Sequence, residues 1–295
     1  MPRHTRPFNV LVALGIALGI AFGVVHVAVR AADRGPSESA RSVELRRGRH
    51  GEMIVSAFAN GQRVSMMIDT GSTHTSVTEE LAAVLSLPLV AKAPVRTSVG
   101  EVMQPIARLS RLTLAGETSR DLLVSVIPAA ALGADSAAQG VIGQDVLSSS
   151  TYTFDLAAGR LLWQSGAVPS HRGVGLALEL EHGRFVTTVP QATGALRLVP
   201  DSGAEALILC GSAGRLPHRR TTLDDVWVET VSGRQLARRV VVPRLQIGDT
   251  TLRNVHAALL PARCGSLSAV DGLLPLALFS RVTVDGPGRR LWLEH

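Results

Sequence analysis

Two segments of this sequence each carry a carboxylate onto a turn. Val64-Ser65-Met66-Met67-Ile68-Asp69-Thr70-Gly71-Ser72 ends an apolar run on Asp-Thr-Gly. Leu196-Arg197-Leu198-Val199-Pro200-Asp201-Ser202-Gly203-Ala204 repeats the pattern in the second half of the chain. Each run is apolar and β-branched enough to read as a buried strand. The glycine behind each aspartate allows a tight turn and the close approach of another chain. Asp69 and Asp201 would then stand at strand ends, held in place but open to a cleft. One such tripeptide is an ordinary strand-to-turn connection. Two that face each other can do chemistry. Like charges about 3 Å apart cannot both ionise, so the pair shares a proton and titrates as a unit. The ionised member can activate a water, while the protonated one donates to a carbonyl oxygen.

The surroundings of the two aspartates repeat as well. His50-Gly51 precedes Asp69 by the same distance as His182-Gly183 precedes Asp201. Gly116 follows Asp69 by the same interval as Gly248 follows Asp201. Val141-Ile142-Gly143 and Leu273-Leu274-Pro275 also end at equal intervals after their aspartates. Phe154-Asp155 with Gly159-Arg160-Leu161-Leu162-Trp163 matches Val284-Asp285 with Gly288-Arg289-Arg290-Leu291-Trp292. A repeat this long means two copies of one structural unit. Two such units pack naturally about a pseudo-two-fold axis, which brings equivalent strand ends face to face.

The elements that must position the aspartates follow in the same order in each copy. Met53 to Phe58 and Arg63 to Ile68 read as a hairpin turning at Asn60-Gly61. Thr78 reads as a helix cap, with Glu79 and Glu80 in the first turn and residues 81–87 as the body. Residues 96–103 read as a hairpin centred on Gly100. Residues 109–114 and 122–127 read as strands around Gly116, and residues 151–163 as a closing hairpin. Residues 165–173, with Pro169 and two glycines, read as a linker. Many short strands with regularly spaced turns predict an all-β architecture of two similar lobes.

In this order of motifs the chain resembles the retropepsin/pepsin-like aspartic peptidases, in a bacterial, membrane-anchored form with two tandem repeats. The marks are Asp-Thr/Ser-Gly, a Gly-centred hairpin, and an apolar-apolar element, closed by Gly143 in the first copy, before a short helix. The resemblance covers residues 43–295, and each repeat is nearer to a retroviral subunit than to a pepsin lobe in size. It implies two β-lobes related by a pseudo-two-fold axis, with Asp69 and Asp201 as the catalytic pair. It implies that Thr70 and Ser202 tie the two loops by hydroxyl hydrogen bonds, and that Gly71 and Gly203 let a substrate backbone approach. Val99 and Gly100, with Ser232 and Gly233, would form flaps that pair with an extended polypeptide substrate. No metal and no cofactor are implied. Three departures fall in the second copy: Pro200 inside a strand, Pro275 in place of glycine, and Ala277 where the first copy has Asp145. They leave open a second lobe that is degenerate. The alternatives are then a periplasmic peptide-binding module without turnover, or a peptidase active only as a dimer of first lobes.

Composition narrows the rest. Only 3% of residues are aromatic, so the core must be built from Val, Leu, Ile and Ala. Residues 1–50 hold eight arginines and three acids, and the remainder is close to neutral, which argues against nucleic acid. There is no Gly-x-Ser-x-Gly elbow, no His-Glu-x-x-His and no phosphate loop, and the histidines show no metal-ligand spacing. His74 near Asp69 reads as a surface turn residue.

The stretch from Phe8 to Val29 carries no charge. At about 1.5 Å per residue it is long enough to cross a bilayer as a helix. The reading favoured over a cleaved signal peptide is a retained inner-membrane anchor, with the catalytic region facing the periplasm. Gly15, Gly19 and Gly23 would share one face of that helix, a possible surface for weak self-association. The domains expected are an anchor at 1–32, a linker at 33–42, lobes at 43–165 and 176–295, and a linker at 166–175 between them. Cys210 and Cys264 both lie in the second lobe, as a bridge or as two buried thiols.

Overall fold

The computed structural model describes residues 10–11, 17–18, 41–48, 51–96, 101–133, 136–164, 173–211, 216–221, 225–230, 233–261 and 270–295. Its first repeat begins with a hairpin of Met53–Ala59 and Gln62–Ile68, turning at Asn60 and Gly61. Both turn residues have positive φ, which Asn and Gly tolerate and which fits the strand twist. Gly140–Ile142 lies parallel to the end of Gln62–Ile68 and antiparallel to Ser76–Thr78. The strand that ends at Asp69 is therefore interior to the sheet. This explains why Met66, Met67 and Ile68 are all fully buried, without the alternation of a half-exposed strand.

The second repeat uses the same plan. Arg184–Gln191 pairs with Gly194–Asp201, and Gly272–Pro275 runs parallel to that second strand and antiparallel to Leu207–Leu209. Pro200 keeps its place in the strand, opposite Leu274 across the parallel pairing. The short helix Gln144–Leu147 of the first repeat has as its counterpart a 3-10 turn, Leu276–Leu278, entered from Pro275. The second copy is thus regular up to Asp201, and departs where proline replaces Gly143.

The helix capped by Thr78 is Glu79–Val84, with the Leu81 N–H donating to Thr78 Oγ1 at 3.2 Å. It ends earlier than residue 87, because Ser86 turns to positive φ and Pro88 follows close behind.

The lobes are joined by strands as well as by chain. Thr151–Asp155 pairs antiparallel with its counterpart Arg281–Asp285, and Thr153 lies opposite Thr283. Their hydroxyls are 2.7 Å apart and fully buried. Arg160–Gln164 and Arg290–Glu294 flank this pair, with Arg41–Arg47 and Val174–Ala177 outside them. Three of the chain's ten aromatic residues meet here. Tyr152 stacks on Trp163 at 5.5 Å and meets Phe154 edge-on at 5.6 Å, and all three are buried. Apart from Phe185 and Phe279 the rest of this core is aliphatic, as composition requires.

Each lobe also carries a long hairpin. In the first, Leu89–Arg96 pairs with Glu101–Leu114; in the second, Val226–Thr230 pairs with Gly233–Ile247. Their tips, with Val99, Gly100 and Ser232, lie outside the described residues.

The expected transmembrane helix finds no support. Within the charge-free stretch the described residues are two short strands, Val10–Leu11 and Ala17–Leu18. Among the described residues no helix is long and apolar enough to cross a membrane. Gly15, Gly19 and Gly23 lie outside the described residues. Cys210 is fully buried and disulfide-bonded, which removes the reading as two thiols; Cys264, the other cysteine of the chain, lies outside the described residues.

Candidate active site

Asp69 and Asp201 meet where the two lobes face each other. Each is held by the turn behind it. The N–H groups of Gly71 and Ser72 donate to Asp69 Oδ1 at 2.8 and 3.2 Å, and the Gly203 N–H donates to Asp201 Oδ1 at 2.7 Å. Asp69 is 1% exposed and Asp201 is fully buried. A Cβ on Gly71 would lie 2.6 Å from the Asp201 carboxyl carbon. Only glycine fits there, because the opposite carboxylate occupies the space of a side chain.

Beneath the carboxylates the two loops grip each other reciprocally. The Thr70 N–H donates to Ser202 Oγ at 3.0 Å, and the Ser202 N–H donates to Thr70 Oγ1 at 2.9 Å. Each hydroxyl then donates to the carbonyl of the residue just ahead of the opposite aspartate. Thr70 Oγ1 reaches the Pro200 oxygen at 2.8 Å, and Ser202 Oγ reaches the Ile68 oxygen at 2.8 Å. This explains how Pro200 is tolerated: the grip uses its carbonyl, which proline keeps, and not the N–H it lacks.

Burial raises the pKa of both aspartates. Asp69 is held well above the usual carboxylate range, first by burial, then by the charge of Asp201 and a hydrogen bond to it. Asp201 is pushed up to about 6 by burial, opposed by the Gly203 N–H, the hydrogen bond with Asp69, the Ala204 N–H and the charge of Arg184. Two buried carboxyls that face each other cannot both ionise, so the pair holds one proton between them. One proton on two carboxyls is the state that can act as acid and base at once.

Comparison with known proteins gives the family. A family model described as aspartyl protease matches residues 55–146 and, again, residues 191–276. The chain belongs to the aspartyl protease family. Each match contains one of the two aspartates, so each repeat is one copy of the family domain. The sequence matches no curated protein. Among solved structures it is similar to a retropepsin-like aspartic protease from Rickettsia conorii, at 18% identity and a TM-score of 0.30, over 42% of this chain and 90% of that one.

Around the aspartyl protease loops the structure adds supports that motif reading missed. Gln144 Nε2 donates to the Thr70 carbonyl at 2.8 Å. Asp145 accepts from the Thr75 N–H at 2.9 Å and from its hydroxyl at 2.7 Å, which fixes the segment that follows the Asp69 loop. Asp145 is therefore a brace for the first loop, and Ala277 leaves the second without that brace. His74 lies against it, with its Nδ1 2.8 Å from Thr73 Oγ1. Of the expected flap residues only Gly233 is described, as the first residue of its strand, opposite Thr230.

Two further charged residues approach the loops across the lobe interface. Gly51 packs on Glu205, and its counterpart Gly183 packs on Thr73, the residue equivalent to Glu205. The next residues, Glu52 and Arg184, are 2% and 4% exposed. A signal for them was present in the sequence, since both follow His-Gly and stand at the same interval before their aspartates. Their side chains, however, are opposite in charge, so a search for repeated chemistry passes over them.

Proposed function

We propose that the chain is a single-chain aspartic endopeptidase that hydrolyses extended polypeptide with Asp69 and Asp201 as one dyad. The observation that carries this reading is the reciprocal grip of Thr70 and Ser202, which joins both Asp-Thr/Ser-Gly loops within one polypeptide. It supports a working second lobe and makes an active site assembled from two first lobes unnecessary. Water bound between the carboxyls gives a proton to the ionised aspartate and attacks the peptide carbon. The protonated aspartate gives its proton to the carbonyl oxygen. In the collapse of the tetrahedral intermediate the proton taken from water passes to the leaving nitrogen, the C–N bond breaks, and the intermediate's hydroxyl returns a proton to the second carboxyl.

Extended substrate is supported by the edges of the two flap hairpins. Val10–Leu11 pairs parallel with Val228 and Glu229, and Ala17–Leu18 pairs antiparallel with Val95 and Arg96. A directed chain lying across a two-fold axis must pair in opposite senses with two equivalent edges. These edges accept main-chain pairing of the kind that binds extended peptides. The disulfide at Cys210 supports a location outside the cytoplasm.

The test is incubation of the full chain with a peptide library from acidic to neutral pH. Cleavage that is blocked by a statine-type transition-state mimic, lost in Asp69→Asn and in Asp201→Asn, and unchanged per molecule on dilution is the expected result. Full activity in Asp201→Asn, with loss on dilution, would point to paired first lobes. Peptide binding without turnover would point to a binding module.

A further inference from the structure

The first lobe has a polar cavity of about 360 Å³ over the strands Arg41–Arg47, Met53–Ala59 and Gln62–Ile68. Side chains two apart on a strand share one face of the sheet. Glu44 and Arg46 of the first strand, Ser56 of the second, and Arg63 and Ser65 of the third line the cavity, together with Gln139. Ser56 and Ser65 stand opposite each other in the register. Both arginines are tied to these serines. Arg46 Nη2 donates to Ser65 Oγ at 3.3 Å, and Arg63 Nη2 donates to Ser56 Oγ at 3.1 Å. The Ser65 N–H donates to Gln139 Oε1 at 3.1 Å. We propose that this cavity binds an acidic amino acid, with Arg46 and Arg63 holding its carboxylates and Glu44 accepting from its amine. Neither aspartate of the dyad lines it, although Ser65 and Asp69 belong to the same strand and the turn that ends it.

A guanidinium has five N–H donors, and here each spends one on a serine. Among the described residues neither Arg46 nor Arg63 is ion-paired with an acid. An arginine on an open sheet face normally extends its head into water. These two are instead held over the sheet, so less side-chain freedom is lost when a ligand binds.

The second lobe shows the same framework closed on itself. Arg197 stands at the position of Ser65, and Asp271 at that of Gln139. The Arg197 N–H donates to Asp271 Oδ2 at 2.9 Å, as the Ser65 N–H does to Gln139. The Arg197 guanidinium is ion-paired with Glu181 and reaches Glu179 at 3.4 Å. The positions of Glu44, Arg46 and Arg63 are filled by Leu176, Leu178 and Ala195. The second lobe therefore supplies carboxylates to its own arginine. The first presents two arginines whose carboxylates must come from outside. Each planar guanidinium fork matches the two oxygens of a carboxylate. Glu44 adds one negative charge to the same cavity, which repels a compact dianion such as phosphate and attracts an amine. Two carboxylates and one ammonium are the charge complement of two guanidiniums and one carboxylate. The volume also falls in the range of small-molecule sites, about 300–1,000 Å³.

The experiment is calorimetric titration of the full chain with L-glutamate, with succinate, which keeps the carboxylates and lacks the amine, and with inorganic phosphate. Glutamate should bind at one site per chain and more tightly than either of the others. Arg46→Gln and Arg63→Gln should each weaken it roughly tenfold or more. Glu44→Gln should weaken glutamate and leave succinate bound as well as before or better. All three side chains are exposed, so the variants should unfold close to the wild-type Tm. Phosphate that binds as tightly as glutamate would overturn the ligand class. No heat of binding at glutamate concentrations on the order of 10 mM would overturn the site. Binding that Arg46→Gln and Arg63→Gln leave unchanged would overturn it as well. The titration reads no cleavage, so it decides the site even for a chain that cleaves nothing.

Discussion

Thr70 and Ser202 are each both donor and acceptor for the other: the backbone N–H of each meets the hydroxyl of its counterpart, at 3.0 and 2.9 Å. Ser202→Ala would leave the buried Thr70 N–H without its acceptor and the Ile68 carbonyl without its donor. Each orphaned group costs about 1–3 kcal/mol. We expect a lowered Tm and a larger loss of kcat than of substrate binding. The double variant Thr70→Ala with Ser202→Ala should cost less than the sum of the single changes, because both belong to one network. Additive losses in thermal or denaturant unfolding would contradict the reciprocal grip.

Gly71→Ala places a methyl 2.6 Å from the Asp201 carboxyl carbon. The carboxyl must move, and a displacement of this order costs on the order of 100-fold in rate. Overpacking alone costs about 1–3 kcal/mol of stability. Circular dichroism should therefore show a folded chain whose kcat/KM has collapsed. An active Gly71→Ala chain would mean that the two carboxyls lie further apart.

The pH–rate profile should be bell-shaped. Activity needs one proton on the pair, so kcat/KM rises as the first carboxyl ionises and falls when the second does. With Asp201 pushed up to about 6, the acid limb is expected near pH 6 and the maximum above it. A maximum near pH 3 would show that the carboxyls are far better solvated than their burial implies.

Glu205 supplies a stability test independent of catalysis. Burial and the nearby Glu52 raise its carboxyl to about 8 from an ordinary value of 4.5. Between those values the folded chain holds a proton that the unfolded chain has released. Its contribution to stability is therefore full below pH 4.5 and is lost as pH rises towards 8. Glu205→Gln removes this proton uptake, so its Tm should fall less between pH 5 and 9 than that of the wild type. Parallel Tm curves for the two proteins would remove Glu205 from the interface.

The duplication, the two aspartates and the β character of both lobes were all legible in the sequence. These are local properties: an apolar run ending on Asp-Thr/Ser-Gly specifies a buried strand and a turn wherever it occurs, and a fixed spacing repeats the fold around it. Thr78 as a cap was legible for the same reason. The extent of its helix was not, since Ser86 and Pro88 act together to end it. The stretch from Phe8 to Val29 shows the limit of composition, which measures apolarity and not the partner that covers it. Its described residues pair as strands with the flap hairpins. That Pro200 is harmless emerges only in the folded molecule, because the assembled grip reveals that its carbonyl is the atom required. The placing of Glu52 and Arg184 at the lobe interface emerges there too. Their positions repeat in the chain, but the charge each presents to a carboxylate depends on a contact between lobes that are distant in sequence, which no local pattern encodes.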